Sequence, residues 1–285
     1  MNILVTNDDG ILAPGLAALA KELSALGNVS IIAPISEQSG VGHGLTFLSA
    51  IKYREVTLSG QFWGWAIEGT PTDCVRMGFQ ALCNPKPDIV VSGINSGYNA
   101  GINVHYSGTC SAAIEGRFFG ATSFAVSLQN DAPEYYASAA RIASQIIQQT
   151  LHSKDASPQL YNLNIPLRAA KAFLEGTAPE IVFAPTDDRI YGEKLNRGES
   201  PFGLPFYWCA ANGVEEAPQF YSDLTALHEG KVVLTPLNFN MTDAAEMNRM
   251  RGWNLAVSPN VPPVEVQPDK IYPEIYIKRM PHKEK

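Results

Sequence analysis

Met1-Asn2-Ile3-Leu4-Val5-Thr6-Asn7-Asp8-Asp9-Gly10 opens the chain as a short apolar β-strand that runs out into a glycine turn bearing two adjacent carboxylates. In an open α/β sheet, ligands collect at the carboxyl ends of the strands. Two carboxylates in that place suit a hard divalent cation, Mg²⁺ or Mn²⁺, which takes oxygen ligands. Asp and Gly are also ordinary turn residues, so Asp8 and Asp9 read alone equally describe a turn that caps the next helix.

Outward from this strand, apolar runs alternate with helical patterns through the first half of the chain. A helix is predicted from about Gly15 to Leu26, a strand over Val29–Ala33, a helix over Asp73–Leu82 and a strand over Ile89–Val91. A helix over Cys110–Phe119, a strand over Ser123–Leu128 and a long helix from about Pro133 to Thr150 continue the rhythm. Such alternation predicts an α/β fold with a Rossmann-like, doubly wound, mostly parallel sheet, and the near-continuous Ile, Leu and Val of the strands suit burial on both faces. Between Phe47 and Ile67 the pattern alternates more, with Ser59-Gly60 dividing Leu48–Leu58 from Phe62–Ile67, as in an inserted hairpin. After about Asn164-Ile165-Pro166, Pro and Gly become frequent. Strand candidates follow at Ile181–Ala184, Pro205–Ala210 and Lys231–Pro236, with a helical stretch near Met241–Trp253. The reading is one domain over residues 1–285: an α/β core (1–165), a β-rich extension with a helix (166–258), and a Pro- and Lys-rich tail (259–285) that is loosely held or reaches a neighbouring subunit.

Composition narrows the function. The 285 residues are 45% apolar and 17% charged, a globular and lightly charged balance. A formal net charge of −7 argues against a protein that grips nucleic-acid backbone, which needs a clustered basic surface. A small anionic substrate fits if a bound cation supplies the local positive charge. Cys74, Cys83, Cys110 and Cys209 are scattered and form no CxxC pair, which suggests neither a zinc knuckle nor a disulfide framework and points to a reducing compartment. Cys74 and Cys110 fall near helix starts, where buried packing competes with a reactive thiolate. With no leader pattern and no apolar run long enough to span a bilayer, the chain reads as cytoplasmic.

Four segments belong to strand ends or helix starts on one edge of the predicted sheet. Asp8-Asp9-Gly10 is the first. Gln38-Ser39-Gly40 with Gly42-His43-Gly44 is the second; its GxGxG spacing is not the dinucleotide fingerprint and also fits a flexible loop. The third, Ser92-Gly93-Ile94-Asn95-Ser96-Gly97-Tyr98-Asn99, follows the strand Asp88-Ile89-Val90-Val91, and the amide oxygen of Asn95 is a legitimate ligand for a hard metal. In the fourth, Ser107-Gly108-Thr109 opens a helix, where backbone N–H groups bind phosphate well, although a plain N-cap explains Ser107 or Thr109 as readily. Gly69-Thr70-Pro71-Thr72-Asp73 shares that ambiguity and leans to a cap. Together, two carboxylates, an amide, a hydroxyl and a phosphate-type helix start make a consistent metal-plus-phosphate site. Among the histidines, His43 and His105 lie nearest these segments, as acid–base candidates or as surface and packing residues, and no HExxH spacing is present.

These same residues resemble SurE, the survival-protein E nucleotidases. The resemblance runs through Asn7-Asp8-Asp9-Gly10, Ser39-Gly40, Gly69-Thr70-Pro71-Thr72-Asp73-Cys74, Pro87-Asp88-Ile89-Val90-Val91-Ser92-Gly93-Ile94-Asn95 and Tyr106-Ser107-Gly108-Thr109. It is continuous to about residue 130, weakens, and returns at Ser222-Asp223-Leu224-Thr225-Ala226-Leu227 and Glu229-Gly230-Lys231-Val232-Val233-Leu234-Thr235-Pro236-Leu237. It implies a metal-dependent phosphatase of nucleoside 5′- and 3′-monophosphates, sometimes of polyphosphate. It also implies one divalent cation per subunit, held by Asp8, Asp9, Ser39 and Asn95, and a homodimer or homotetramer whose carboxyl-terminal segments are exchanged. The substrate phosphate would then meet Asn95, Asn99, Ser107, Gly108 and Thr109. Cys110 stands where relatives commonly have Val, residues 99–105 differ in detail, and the tail past about Asn254 looks longer than in many relatives.

Direct phosphoester hydrolysis is the expected chemistry: the cation polarises a phosphoryl oxygen and activates water while Asp8 or Asp9 accepts a proton. A nucleophilic Asp8 forming an aspartyl-phosphate is the alternative in the same class, although haloacid-dehalogenase enzymes that do so space their acids as DxD. Receiver domains also carry adjacent acids after a first strand, but need an Asp at the end of the middle strand, where this chain has Ser92-Gly93. A catalytically silent nucleotide sensor would bind without turnover.

Overall fold

The computed structural model describes residues 1–153, 155, 157–189, 193–211, 218–253 and 255. The chain divides after Phe239 into two compact units. In the first, strand β1 (Asn2–Thr6) leads to helix α1 (Pro14–Leu23) and strand β2 (Asn28–Pro34), the opening β-α-β unit the sequence predicts. The hairpin β3 (Lys52–Leu58) and β4 (Gln61–Glu68) follows, then α2 (Pro71–Met77), β5 (Ile89–Ser96), α3 (Gly108–Phe118), β6 (Thr122–Leu128) and α4 (Tyr136–Ser153). Beyond these come β7 (Leu160–Ile165), α5 (Leu167–Leu174), β8 (Ile181–Phe183), β9 (Glu193–Glu199), β10 (Pro205–Ala211), α6 (Asp223–His228) and β11 (Val232–Pro236). The second unit contributes α7 (Ala244–Met250), within the helical stretch expected near Met241–Trp253.

Nine strands form one sheet in the order β3-β4-β2-β1-β5-β6-β7-β11-β8. All neighbours from β4 to β7 run parallel, while β3 is antiparallel to β4 and β11 is antiparallel to β7. Strand order reverses between β1 and β5, so their carboxyl ends diverge there and open the crevice that a doubly wound sheet uses for ligands. On one face, Ile3, Val5, Val91, Phe124 and Val126 are buried with Leu16 and Leu19 of α1 and Ile142 and Ile146 of α4. Leu4, Ile32, Ile67 and Val90 pack on the other face with Val75 of α2 and Ala112 of α3. Gly78, just past α2, is held so close to β1 that a Cβ would lie 2.1 Å from Leu4 Cδ1.

The predicted α/β class and the early elements are present, with shifted ends. α2 begins at Pro71 because Thr70 and Asp73 form a reciprocal capping box, and it widens into a π-type turn over Gly78–Leu82. The hairpin does not stand apart as an insertion: β4 pairs in parallel with β2 and extends the main sheet. Its turn residues Ser59 and Gly60 both take positive φ, 51° and 77°, as a two-residue hairpin of this hand requires. In the second half, β8 and β11 complete the far edge of the main sheet, and β9 with β10 makes a separate two-stranded ribbon. No helix among the described residues is long and apolar enough to cross a membrane. The tail over 259–285, and any exchange of it between subunits, lies outside the described residues.

Candidate active site

The turn after β1 is built by its own side chains. Asn7 is buried and closes a reciprocal pair with Gly10, its Nδ2 donating to Gly10 O at 3.0 Å and its Oδ1 accepting from Gly10 N at 3.1 Å. Gly10 takes φ 109°, open to few residues other than glycine. This locked turn presents Asp8 and Asp9 at the reversal point of the sheet. Asp8 is buried and meets the start of α3: Thr109 N donates to its Oδ2 at 3.2 Å and Thr109 Oγ1 to its Oδ1 at 2.5 Å. Gly108 leaves room for this contact, since a Cβ there would lie 2.9 Å from Asp8 Cβ and 3.0 Å from its Oδ2. Ser107 caps the helix by accepting from Cys110 N at 3.0 Å. Ser107 is therefore the cap that its residue type suggests, and the first turn of α3 is bonded to Asp8.

The other segments converge on the same turn. The main chain of Gln38 donates to Asp8 O at 2.7 Å, which draws the loop carrying Ser39 to the acids. On the opposite side, the backbone N–H of Ser96 serves Asp9. Strand register shifts between Ser92 and Asn95 against β6, a bulge that re-aims the end of β5. Asn95 Nδ2 donates to Gly97 O at 2.8 Å, leaving the Oδ1 end of the amide for another donor or a cation. Asn99 is set back among buried amides: its Nδ2 donates to Ser127 Oγ at 2.8 Å, its main-chain N to Asn164 Oδ1 at 3.0 Å, and its carbonyl accepts from Asn162 and Asn164. His43 turns away from the acids to Glu115 on α3, at 3.0 Å.

Electrostatics in this turn favour a cation. Burial raises the Asp8 carboxyl above its usual range, against the lowering effect of the Thr109 bonds. Burial and then the neighbouring Asp8 push Asp9 up to about 7, with Glu37 and Asp131 adding to the effect. Negative charge thus accumulates around Asp9, and among the described residues no Lys or Arg pairs with Asp8 or Asp9. Among those residues no three His, Cys, Asp or Glu side chains are grouped as a metal cluster. A cation here would need neutral oxygens besides the acids, which the Ser39 hydroxyl and the Asn95 amide offer. The donor set fits a hard divalent ion. Cys74 and Cys110 are buried, and burial raises both thiols, Cys110 to about 12, so they serve packing.

A family profile described as Survival protein SurE matches residues 3–185. The chain belongs to the SurE family. A 5′-nucleotidase SurE from Rhodopirellula baltica is 44% identical over 90% of this chain and 99% of its own length. Another, from Geobacter sulfurreducens, is 38% identical over 90% of this chain and 95% of its own. The crystal structure of a SurE protein from Aquifex aeolicus superposes with a TM-score of 0.74 at 33% identity, covering 88% of this chain and 98% of that one.

Within this SurE fold, sequence reading overlooked Glu37 and Asp131. Glu37 accepts from Ser39 Oγ at 2.6 Å and bears on both acids. Its proximity to Ser39 in sequence was the available signal. Asp131 reaches the turn only through the fold, after β6, where Tyr136 OH donates to it at 3.3 Å.

Proposed function

We propose that the chain is a divalent-cation-dependent 5′-nucleotidase that cleaves nucleoside 5′-monophosphates, and 3′-monophosphates as a second class, to nucleoside and phosphate. One observation carries the reading: the amino terminus of α3 is bonded through Thr109 directly to Asp8, one of the two adjacent carboxylates at the sheet's reversal point. A phosphate-binding helix mouth and a cation-holding turn are there a single structure. The relatives' name, 5′-nucleotidase SurE, agrees with it.

Asp8, Asp9, Ser39 and Asn95 would hold one Mg²⁺ or Mn²⁺ per subunit. When bound, the cation supplies Lewis acidity at a phosphoryl oxygen and lowers the pKa of water. The chain's own residues then divide the remaining work. Asp8 accepts from Thr109 through both oxygens, which fixes it as a ligand. Asp9 accepts the Ser96 N–H and keeps lone pairs free to take the proton of the attacking water. Gly108 and Ser107 at the helix mouth orient the phosphate and stabilise charge as it builds on the equatorial oxygens. Thr109 acts through Asp8, and Asn99 shapes the floor of the site through Ser127 and Asn164. In the same reading the working form is a homodimer or homotetramer, which its mass in solution would give.

The test is phosphate release from a panel of 5′- and 3′-nucleoside monophosphates and polyphosphate by EDTA-treated protein, with Mg²⁺ or Mn²⁺ added back. Cation-dependent release is expected, 5′-esters first. Nucleotide binding without release in every cation would leave a silent sensor instead.

A further inference from the structure

Residues 35–51, between β2 and β3, form a long loop with no helix or strand, and it carries Ser39. Loops of that length in a tight domain are functional or poorly held. This one is held at its start by the Gln38–Asp8 and Ser39–Glu37 bonds already described, and further along by residues away from the acids. His43, four residues past Ser39, places Nε2 3.0 Å from Oε2 of Glu115, while the other oxygen of Glu115 accepts from Arg76 NH1 on α2 at 2.9 Å. Glu115 is buried, and among the described residues its two carboxylate oxygens are met by His43 and Arg76. The His43 ring also stacks on Phe118 at 5.5 Å between centroids. Beside this anchor, Gly42 N donates to Tyr106 O at 3.0 Å, one residue before the cap of α3.

Glu115 lies six residues beyond Thr109 on α3, about 9 Å along the helix axis at 1.5 Å per residue, so His43 is bound away from the acids and does not serve as their proton carrier. Ser39 itself sits between two fixed points: Gln38 N on Asp8 O on one side, and the Gly42 and His43 anchors on the other. With Gly40 and Gly42 both at positive φ (73° and 55°), the chain between these points has little stiffness of its own.

We infer that the His43–Glu115–Arg76 clamp is a positioning device that holds the Ser39 hydroxyl in place for the cation. This rests on the proposed ligand set. Supporting partners behind a metal ligand commonly change affinity 10- to 100-fold when removed.

Mn²⁺ binding to EDTA-treated full-length protein, measured by calorimetry, separates the possibilities without using turnover. Ser39→Ala is expected to weaken Mn²⁺ binding about tenfold and His43→Ala by several-fold. The double variant should bind no more weakly than Ser39→Ala, because loop position ceases to matter once the hydroxyl is gone. His43→Gln, which keeps an N–H donor for Glu115, should recover most of the affinity. Wild-type affinity in His43→Ala, or losses that multiply in the double variant, overturns the clamp's role while leaving the ligand set standing. Wild-type affinity in Ser39→Ala overturns the ligand assignment, and the clamp's role with it.

Discussion

Asp8 and Asp9 are neighbours in sequence with different surroundings, because one is bonded through both oxygens to Thr109 and the other is not. Asp9→Asn is expected to abolish phosphate release while preserving the fold, since it removes a charge and empties no core. The same residue sets a pH slope in the cation-free protein. Its carboxyl is raised from 3.8 to about 7 on folding, so across that window the native state holds a proton that the unfolded chain has released. Stability should therefore fall as pH rises from about 4 to 7, and Asp9→Asn should flatten the slope. Melting temperatures of EDTA-treated wild type and variant at pH 5 and pH 8 check both. Gly108→Ala should cost activity by about a hundredfold, because its Cβ would stand 2.9 Å from Asp8 Cβ and displace the acid. Equal kcat/KM in this variant would separate the helix mouth from the chemistry.

At the scale of elements, the helix starts were the most legible part. Ser107 and Thr70 announce their caps by residue type, and the structure shows both. Thr70 also donates to Gly44 O at 2.8 Å, tying α2 to the Ser39 loop. Thr70→Ala should lower unfolding free energy by about 1 kcal/mol in urea titration, the usual worth of such a cap. Less was legible where packing decides. Helix α5 follows Pro166, where the sequence predicts a β-rich extension instead, and α6, capped by Ser222, has too few residues to show a period. β7 carries Asn162 and Asn164, poor strand formers alone, whose amides find buried partners on Asn99 only in the folded sheet. In the loop over 35–51, the segment Gln38–Gly44 fits a flexible loop as well as a site segment when read alone, because its three glycines dominate the local pattern. Its anchors at Glu115 and Asp73 lie 72 and 27 residues away, beyond the reach of a local reading.

For the whole molecule, the doubly wound class was legible from the alternation of elements, and the candidate site from where Asp8, Ser39, Asn95 and Ser107 fall in it. Strand order was not, since nothing local in Ile181–Phe183 or Val232–Pro236 says that they complete the sheet begun at Asn2. A cation that binds only the native state should stabilise the whole cooperative unit, by about 2.7 kcal/mol at a hundredfold excess over Kd. Melting temperature should accordingly rise with Mn²⁺ in the wild type and stay flat in a variant lacking both acids.

The order β7-β11-β8 also sets a schedule for synthesis. Among the described residues β8 pairs with β11 alone, yet it leaves the ribosome roughly 50 residues earlier. At about 5–20 residues per second, Ile181-Val182-Phe183 waits for several seconds with its backbone unpaired. During that interval its backbone N–H and C=O groups have water, rather than β11, for partners.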